Sequence, residues 1–173
     1  MIPSLAIDIE AATLSNAPLV MQLISHCLTD LRSRGIHQWD EIYPNLEGVE
    51  NDARAGSLFV IRHENACVAS VCLNESQPEQ YRLLPWRCVV GRALVIHRLC
   101  VHPQWQGRGL AGKLMDFTED FARRFSFASI RLDAYTGNPR ALALYEKRGY
   151  HRIGQASFPR RVLPFDCFEK IMA

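Results

Sequence analysis

The residues with the clearest chemical potential form a short glycine-rich stretch at positions 106–112, QGRGLAG. An apolar run over residues 93–101 precedes it and predicts a strand, and an amphipathic pattern follows it and predicts a helix. The first amides of a helix have no partner within the helix and lie at the positive end of its dipole. A glycine-rich bend at this place therefore predicts a binding site for a phosphorylated ligand.

Two well-known nucleotide motifs overlap with this stretch and both fit poorly. Residues 107–112 match the dinucleotide pattern GxGxxG, with Asp133 at the place of its acidic residue. However, Pro103 lies between the strand and the first glycine, and the remaining chain is too short for a second mononucleotide-binding half. Residues 107–113 match the start of a P-loop, but Leu114 replaces the Ser or Thr that holds magnesium.

The pattern along the rest of the chain predicts one α+β domain over residues 1–173, with a mixed, mostly antiparallel central sheet flanked by helices. The predicted strands cover residues 5–10, 58–61, 66–73, 93–101, 129–134, 151–158 and 165–172. Four helices are predicted: from residue 16 or 17 to Gly35, over 44–55, from 110 onwards, and from Pro139 to Gly149. The third has an apolar face formed by Leu110, Leu114, Phe117, Phe121 and Phe125. Residues 75–92 read as a loop or an edge connection.

Composition excludes several classes of protein. The 173 residues are 48% hydrophobic and 22% charged, with a net charge of +2 spread along the chain. This fits one globular domain and gives no basic stripe for nucleic acid. No apolar run is long enough to span a membrane, and Asp8 and Glu10 interrupt any signal-peptide core, so we expect a cytoplasmic protein with neither a membrane nor a nucleic-acid partner.

The six cysteines predict buried, reduced thiols and no metal site. None of them forms a CxxC pair, and several lie inside apolar runs. A nucleophilic cysteine stays open as an alternative, with Cys100 the best placed.

Three segments in the same order resemble one family. They are residues 97–101 (HRLCV), residues 106–111 with the pattern QxxGxA, and residues 138–150 (NPRALALYEKRGY). Together they resemble the GCN5-related N-acetyltransferases (GNAT) over about residues 93–155. Gln106 stands where arginine is commoner, and the family accepts both residues.

The resemblance implies the GNAT fold and an acetyltransferase activity. Such enzymes transfer the acetyl group of acetyl-CoA directly to a primary amine of a small molecule or a peptide, within a ternary complex. A non-catalytic acyl-CoA-binding domain and an NAD-type oxidoreductase are the alternatives. The identity of the acceptor, the length of the acyl chain and the oligomeric state, a homodimer included, stay open.

The resemblance also implies which residues hold the cofactor. The backbone of the bend would bind the pyrophosphate, the strand edge would pair with the pantetheine arm, and an amide near Leu99 or Cys100 would stabilise charge on the carbonyl oxygen. A purely structural turn is the alternative, and a helix N-cap is an equal explanation for the asparagine. The implied cofactor-binding residues are Leu99, Cys100, Val101, Gln106, Gly107, Arg108, Gly109, Leu110, Ala111, Gly112 and Asn138.

Two residues match catalytic positions. Tyr145 matches the general acid that protonates the departing thiolate, although its helical spacing also suits a packed core tyrosine. A lysine-like amine has a pKa near 10.4, so its neutral form at pH 7 costs roughly 4–5 kcal/mol and a proton acceptor is expected. His97 matches a catalytic histidine of some members and, by strand alternation, is predicted to share a face with Leu99 and Val101. A histidine bonded to the backbone, a carboxylate or a water relay stays open.

The acceptor pocket is predicted from aromatic residues beside one carboxylate, which suit a small cationic amine. Its candidates are Trp39, Asp40, Tyr43 and Trp86, and packing at the domain edge is the alternative. Arg160 and Arg161 are predicted to be solvated, or to meet an acidic acceptor or the 3′-phosphate of CoA.

Overall fold

The structure, a computed structural model, describes residues 8–172, and its centre is a seven-stranded sheet. In chain order, the strands are β1 (Ile9–Ala11), β2 (Leu58–His63), β3 (Ala66–Asn74), β4 (Ala93–Val101), β5 (Ser129–Tyr135), β6 (His151–Ala156) and β7 (Phe165–Ile171). The order in space is β1-β2-β3-β4-β5-β7-β6. All neighbours are antiparallel except β4 and β5, which run parallel. This confirms the mixed, mostly antiparallel sheet, which is not the parallel sheet of a dinucleotide-binding fold.

Four helices cover the two faces of the sheet. They are α1 (Ala17–Ser33), α2 (Leu46–Arg54), α3 (Leu110–Arg124) and α4 (Pro139–Lys147). The apolar sides of α1 and α2 form a core with one face of the sheet, and those of α3 and α4 form a second core with the other face. The sheet is therefore the middle layer of three, as the amphipathic patterns require.

The helix ends follow the capping residues. The Asn138 side chain accepts a hydrogen bond from the Ala141 amide at 3.2 Å, Pro139 occupies the first turn of α4, and Gly149 takes a positive φ of 78° just past its end. In α2, Asn45 is the N-cap and accepts from the Gly48 amide at 2.9 Å, so this helix begins two residues later than predicted.

Several sequence predictions differ from the structure at the edges of elements. The first strand covers Ile9–Ala11, and positions 5–7 of its predicted range lie outside the described residues. Strand β6 ends at Ala156 rather than at residue 158. Leu46 and Phe125 were predicted on buried faces, but they are about half exposed; Leu46 is the first residue of α2, and Phe125 directly follows the last residue of α3.

The segment over residues 75–92 is a loop with one short 3₁₀ helix, Glu79–Leu83, as predicted, but it does not lie at a sheet edge. A buried ion pair between Arg131 and Glu169 anchors it against β5 and β7. Arg131 donates to the Cys88 carbonyl, and Glu169 accepts from the Arg87 and Cys88 amides. These bonds satisfy two charges that would be costly to bury unpaired.

The thiols and the helix lengths complete the description. All six cysteines are free, and five of them are buried as predicted, whereas Cys88 is only half-buried. In the part of the chain that the structure describes, no helix is long and apolar enough to cross a membrane.

Candidate active site

A bulge in β4 decides which side chains reach which face of the sheet. Ser70 of β3 pairs with Cys100, while Cys72 pairs with His97, so three steps along β4 match two along β3. Arg98 takes up the extra residue with a φ of 50°. The alternation of side chains therefore reverses after His97.

This reversal corrects the predicted face of His97. Leu99 packs in the core with α3 and α4, together with Val101, whereas the strand partner of His97, Cys72, lies in the core with α1 and α2. Cross-strand partners share a face, so His97 lies on the face opposite to Leu99 and Val101. Simple alternation could not foresee this because no glycine marks the bulge.

The parallel strands β4 and β5 separate halfway along their length. Their pairing ends at Val95 and Arg131. Beyond this point, from Ile96 to Val101, one edge of β4 has no strand partner among residues 8–172. The opening gives both faces of the sheet access to one cleft and leaves backbone N–H and C=O groups free to bind an extended ligand.

The glycine bend and the N-terminus of α3 lie at one end of this cleft. Gly107 and Gly109 take positive φ values of 75° and 81°, which explains why glycine is needed there. No side chain caps the helix, and the first backbone bond of the helix runs from the Lys113 amide to the Gly109 carbonyl. A Cβ built on Gly107, Gly109 or Gly112 would meet no protein atom within 4 Å, so the space beside the bend is open to a ligand.

Two cavities fill the cleft. The first, here called the acceptor chamber, has a volume of about 490 Å³ and includes His97, Asp133 and Tyr145 in its walls. The second, the bend cavity, has about 470 Å³ and includes residues 109–112 in its walls. The two cavities adjoin, because six residues line both of them: Gln38, Trp39, Leu99, Asn138, Ala141 and Leu144.

Ten of the eleven predicted cofactor-binding residues line the bend cavity. They are Leu99, Cys100, Val101, Gln106, Gly107, Gly109, Leu110, Ala111, Gly112 and Asn138. The exception is Arg108, whose guanidinium lies over the Trp105 ring at 4.7 Å and not in the cavity wall. Its long side chain is held on the outer side of the bend by this stacking.

The polar walls of the bend cavity include three basic side chains, Arg34, Arg140 and Lys147, that sequence analysis did not single out. Arg140 donates to Gln106 Oε1 at 2.7 Å, and Gln106 Nε2 donates to the Val101 carbonyl at 3.2 Å, so this glutamine links α4 to the end of β4. The positive charge of Arg140 and Lys147 suits phosphates, whereas Arg34 forms an ion pair at 2.7 Å with Asp30, which lines the same cavity. Arg160 and Arg161 lie in the wall of the other cavity and are not placed to meet a phosphate at the bend.

Tyr145 projects from α4 into the acceptor chamber. Its ring packs 6.0 Å from the rings of Tyr150 and Phe168, between centroids. No hydrogen bond of its hydroxyl is found within residues 8–172. Burial, followed by the nearby Asp133 charge, raises the pKa of Tyr145, so the phenol stays protonated through the physiological range and remains able to donate.

His97 lines the same chamber, but its environment does not favour a proton acceptor. Its Nε2 lies 2.9 Å from Asn74 Oδ1, an acceptor, so this nitrogen carries the proton. Burial, followed by the Arg98 charge, lowers the pKa of His97 to about 4. A base with such a low pKa takes a proton from an ammonium less readily than an ordinary imidazole does.

Asp133 is a residue of the chamber that sequence analysis named only as the acidic position of the rejected dinucleotide pattern. The structure places it in the wall of the acceptor chamber. Tyr81 donates a hydrogen bond to Asp133 Oδ2 at 2.7 Å. Burial raises the pKa of Asp133 to about 6, and the Tyr81 hydrogen bond partly opposes this. The sequence signal that could have identified Asp133 is that it is the one acidic residue within the apolar segment that forms β5.

The four predicted acceptor-pocket residues do not come together. Trp39 and Tyr43 line the acceptor chamber. Asp40 does not, because it forms ion pairs with Arg160 at 2.9 Å and Arg161 at 2.7 Å. The Arg161 side chain is therefore 5% exposed, rather than solvated as predicted.

Trp86 lies outside both cavities. Its ring packs on Tyr81, its Nε1 donates to the Tyr81 carbonyl at 2.9 Å, and the Arg131 guanidinium lies 4.4 Å from the ring centroid. These contacts secure the 75–92 loop, which carries Tyr81, against β5.

Known proteins share both the fold and the sequence pattern. A GNAT acetyltransferase structure from Streptococcus agalactiae matches with a TM-score of 0.83 and 21% identity over 98% of this chain and 97% of that one. The Salmonella typhimurium yncA structure, which contains acetyl-CoA, matches with a TM-score of 0.71 and 15% identity over 96% and 94%. The Bacillus subtilis uncharacterized N-acetyltransferase YesJ is 23% identical over 145 residues, which cover 83% of this chain and 81% of YesJ.

These structures share the three-layer fold with its seven-stranded sheet, although their sequences differ widely from this one. The family model described as "Acetyltransferase (GNAT) family" matches residues 20–150. The chain therefore belongs to the GNAT family.

Proposed function

We propose that this enzyme transfers the acetyl group of acetyl-CoA directly to a primary amine, with both substrates bound in the cleft at once. The observation that carries the proposal is that the two cavities adjoin at six shared residues. The bend cavity begins at the free amides of α3. The acceptor chamber contains the side chains of His97, Asp133 and Tyr145, which face the point where β4 and β5 separate. A donor and an acceptor entering from opposite ends would meet there.

The bend cavity suits the nucleotide end of acetyl-CoA. The amides of residues 107–112 would bind the pyrophosphate, with Arg140 and Lys147 supplying positive charge beside it. The free edge of β4 from Ile96 to Val101 would pair with the pantetheine arm through backbone groups. When bound, acetyl-CoA supplies the thioester that is cleaved.

Tyr145 is our candidate for the general acid. It lies in the chamber wall on the α4 side, it has no competing partner among the described residues, and its raised pKa keeps its proton in place. A donor at this point would lower the barrier to departure of the CoA thiolate. Asn138 caps α4 and donates to Gln38 Oε1 at 2.8 Å, and so keeps the α1–α2 loop over the shared wall.

The test is a pair of measurements on the wild-type protein. Calorimetric titration should show binding of acetyl-CoA and CoA and none of NADH. Release of free thiol from acetyl-CoA should depend on an added amine from a panel of spermidine, lysine amide, a short peptide with a free N-terminus, an aminoglycoside and an amino acid. If acetyl-CoA binds but none of these amines causes thiol release, an acyl-CoA-binding domain would be favoured instead.

A further inference from the structure

Asp133 and His97 occupy matching places on the two strands that separate. The parallel register pairs Val95 with Arg131, and His97 and Asp133 each follow by two residues. Side chains two residues apart on a strand share a face, so both project from the same face, at the start of the opening. The chamber wall contains both of them, with Tyr145 reaching it from the opposite face of the sheet.

Asp133 is chemically distinct from the other carboxylates near the site. Asp40 is paired with two arginines, and Asp52 is paired with Arg98. Asp133 has no ion pair within residues 8–172, and it is the one carboxylate among the described residues of the chamber wall. An uncompensated carboxylate in a cavity is a binding point for a cation.

The groups that face Asp133 come from four further elements. Tyr81 of the 75–92 loop donates to it, His97 lies across the opening, Tyr145 approaches from α4, and Cys167 is its partner on β7. On its own strand, Arg131 is engaged by Glu169. Tyr81 is 1% exposed, so its hydroxyl holds the carboxylate in one orientation.

Resting on the proposed function, we propose that Asp133 binds the ammonium group of the acceptor and takes its proton, with Tyr81 positioning the carboxylate. The site therefore selects primary amines that arrive charged. A carboxylate that titrates near pH 6 is ionised at pH 7 and is a stronger base than His97 in its present surroundings.

The protons balance as follows. Asp133 takes one proton from the ammonium, which leaves a neutral amine whose lone pair forms the new N–C bond. As the C–S bond breaks, the departing thiolate takes the proton of the Tyr145 hydroxyl. The nitrogen loses its second proton at the same time, and this proton restores the Tyr145 hydroxyl. Asp133 then releases its proton to solvent, so that each transfer yields one amide, one thiol and one proton.

The test compares Asp133→Asn and Tyr81→Phe with wild type in pH profiles of kcat/KM for spermidine or lysine amide. Glu79→Gln is the matched control, because it removes an exposed carboxylate from the 3₁₀ helix that carries Tyr81. In Asp133→Asn we expect a loss of about 10²-fold or more at pH 7 and no acidic limb near pH 6. In Tyr81→Phe the limb should move to higher pH, because a hydrogen bond that lowers the Asp133 pKa is gone.

Hydroxylamine provides a second readout because it is already uncharged at pH 7 and needs no base. Asp133→Asn should acetylate it at nearly the wild-type rate. An unchanged acidic limb in both variants, or equal losses for hydroxylamine and the alkylamine, would overturn the proposal. Acetyl-CoA affinity and thiol release by wild type are measured in parallel. If the proposed function itself fails, wild type releases no thiol; if only the role of Asp133 fails, wild type still binds acetyl-CoA and releases thiol.

Discussion

The substitution Tyr145→Phe separates a catalytic role for the hydroxyl from a structural one. The ring of Tyr145 packs against Tyr150 and Phe168, and phenylalanine keeps this packing. The hydroxyl has no hydrogen bond within the described residues, so its removal breaks none. We therefore expect the free energy of unfolding to change by less than about 0.5 kcal/mol.

The expected effect on catalysis is much larger. General acid catalysis typically contributes 10²–10⁴-fold, so kcat should fall by about 10²-fold or more, which raises the activation barrier by about 2.7 kcal/mol. The dissociation constant of acetyl-CoA should stay unchanged, because the backbone of the bend and not this side chain is proposed to bind the nucleotide. Because the Tyr145 pKa is raised, no loss of activity from its ionisation is expected below pH 10.

Tyr150→Phe is a matched control for this experiment. Tyr150 is a neighbouring buried tyrosine whose ring packs against that of Tyr145, but it lines neither cavity. Because Tyr150→Phe removes the same type of hydroxyl outside both cavities, it should leave kcat unchanged.

The assays are thiol release for kcat, calorimetry for acetyl-CoA binding and thermal unfolding for stability. A wild-type kcat in Tyr145→Phe, or an equal loss of activity in both variants, would refute a catalytic role for the Tyr145 hydroxyl. A fall in kcat accompanied by an equal loss of acetyl-CoA affinity would also contradict a role confined to proton donation.

Three further predictions address the rest of the cleft. In His97→Gln the pH profile of kcat/KM should keep its acidic limb near pH 6, since that limb belongs to Asp133; loss of the limb would restore His97 as the base. Ala111→Val adds bulk in the bend cavity and should weaken a hydrogen bond to a phosphate, so acetyl-CoA affinity measured by calorimetry should fall by about tenfold or more. Unchanged affinity would place the phosphates elsewhere. Arg161 and Arg160 hold the pKa of Asp40 well below its usual value. The difference in free energy of unfolding between wild type and Asp40→Asn, measured by chemical denaturation, should therefore be constant from pH 7 to about 5 and be lost below about pH 4. A difference that does not depend on pH would contradict this pairing.

Local chemistry explains why much of the fold could be predicted from the sequence. Asn138, Pro139 and Gly149 bound α4 through caps that depend on neighbours within a few residues. The bend at Gly107 and Gly109 could likewise be predicted, since its positive φ angles and its position before an amphipathic helix are properties of the local sequence.

The arrangement of the acceptor chamber depends on contacts between distant parts of the chain, so it could not be predicted in the same way. The bulge places a positive φ on Arg98, a residue type that gives no local sign of one, and its side chain is held by Asp52 of α2. Asp40 meets Arg160 and Arg161 from 120 residues away. Asp133 gains its partner Tyr81 because the 75–92 loop crosses the sheet, which only the folded chain reveals.

The most direct test of the account is a crystal structure with acetyl-CoA bound. We expect the pyrophosphate on the amides of residues 107–112, the pantetheine arm beside Ile96 to Val101, and the thioester carbonyl between Tyr145 and Asp133. A pyrophosphate bound elsewhere, or a thioester that lies outside the opening between β4 and β5, would contradict it.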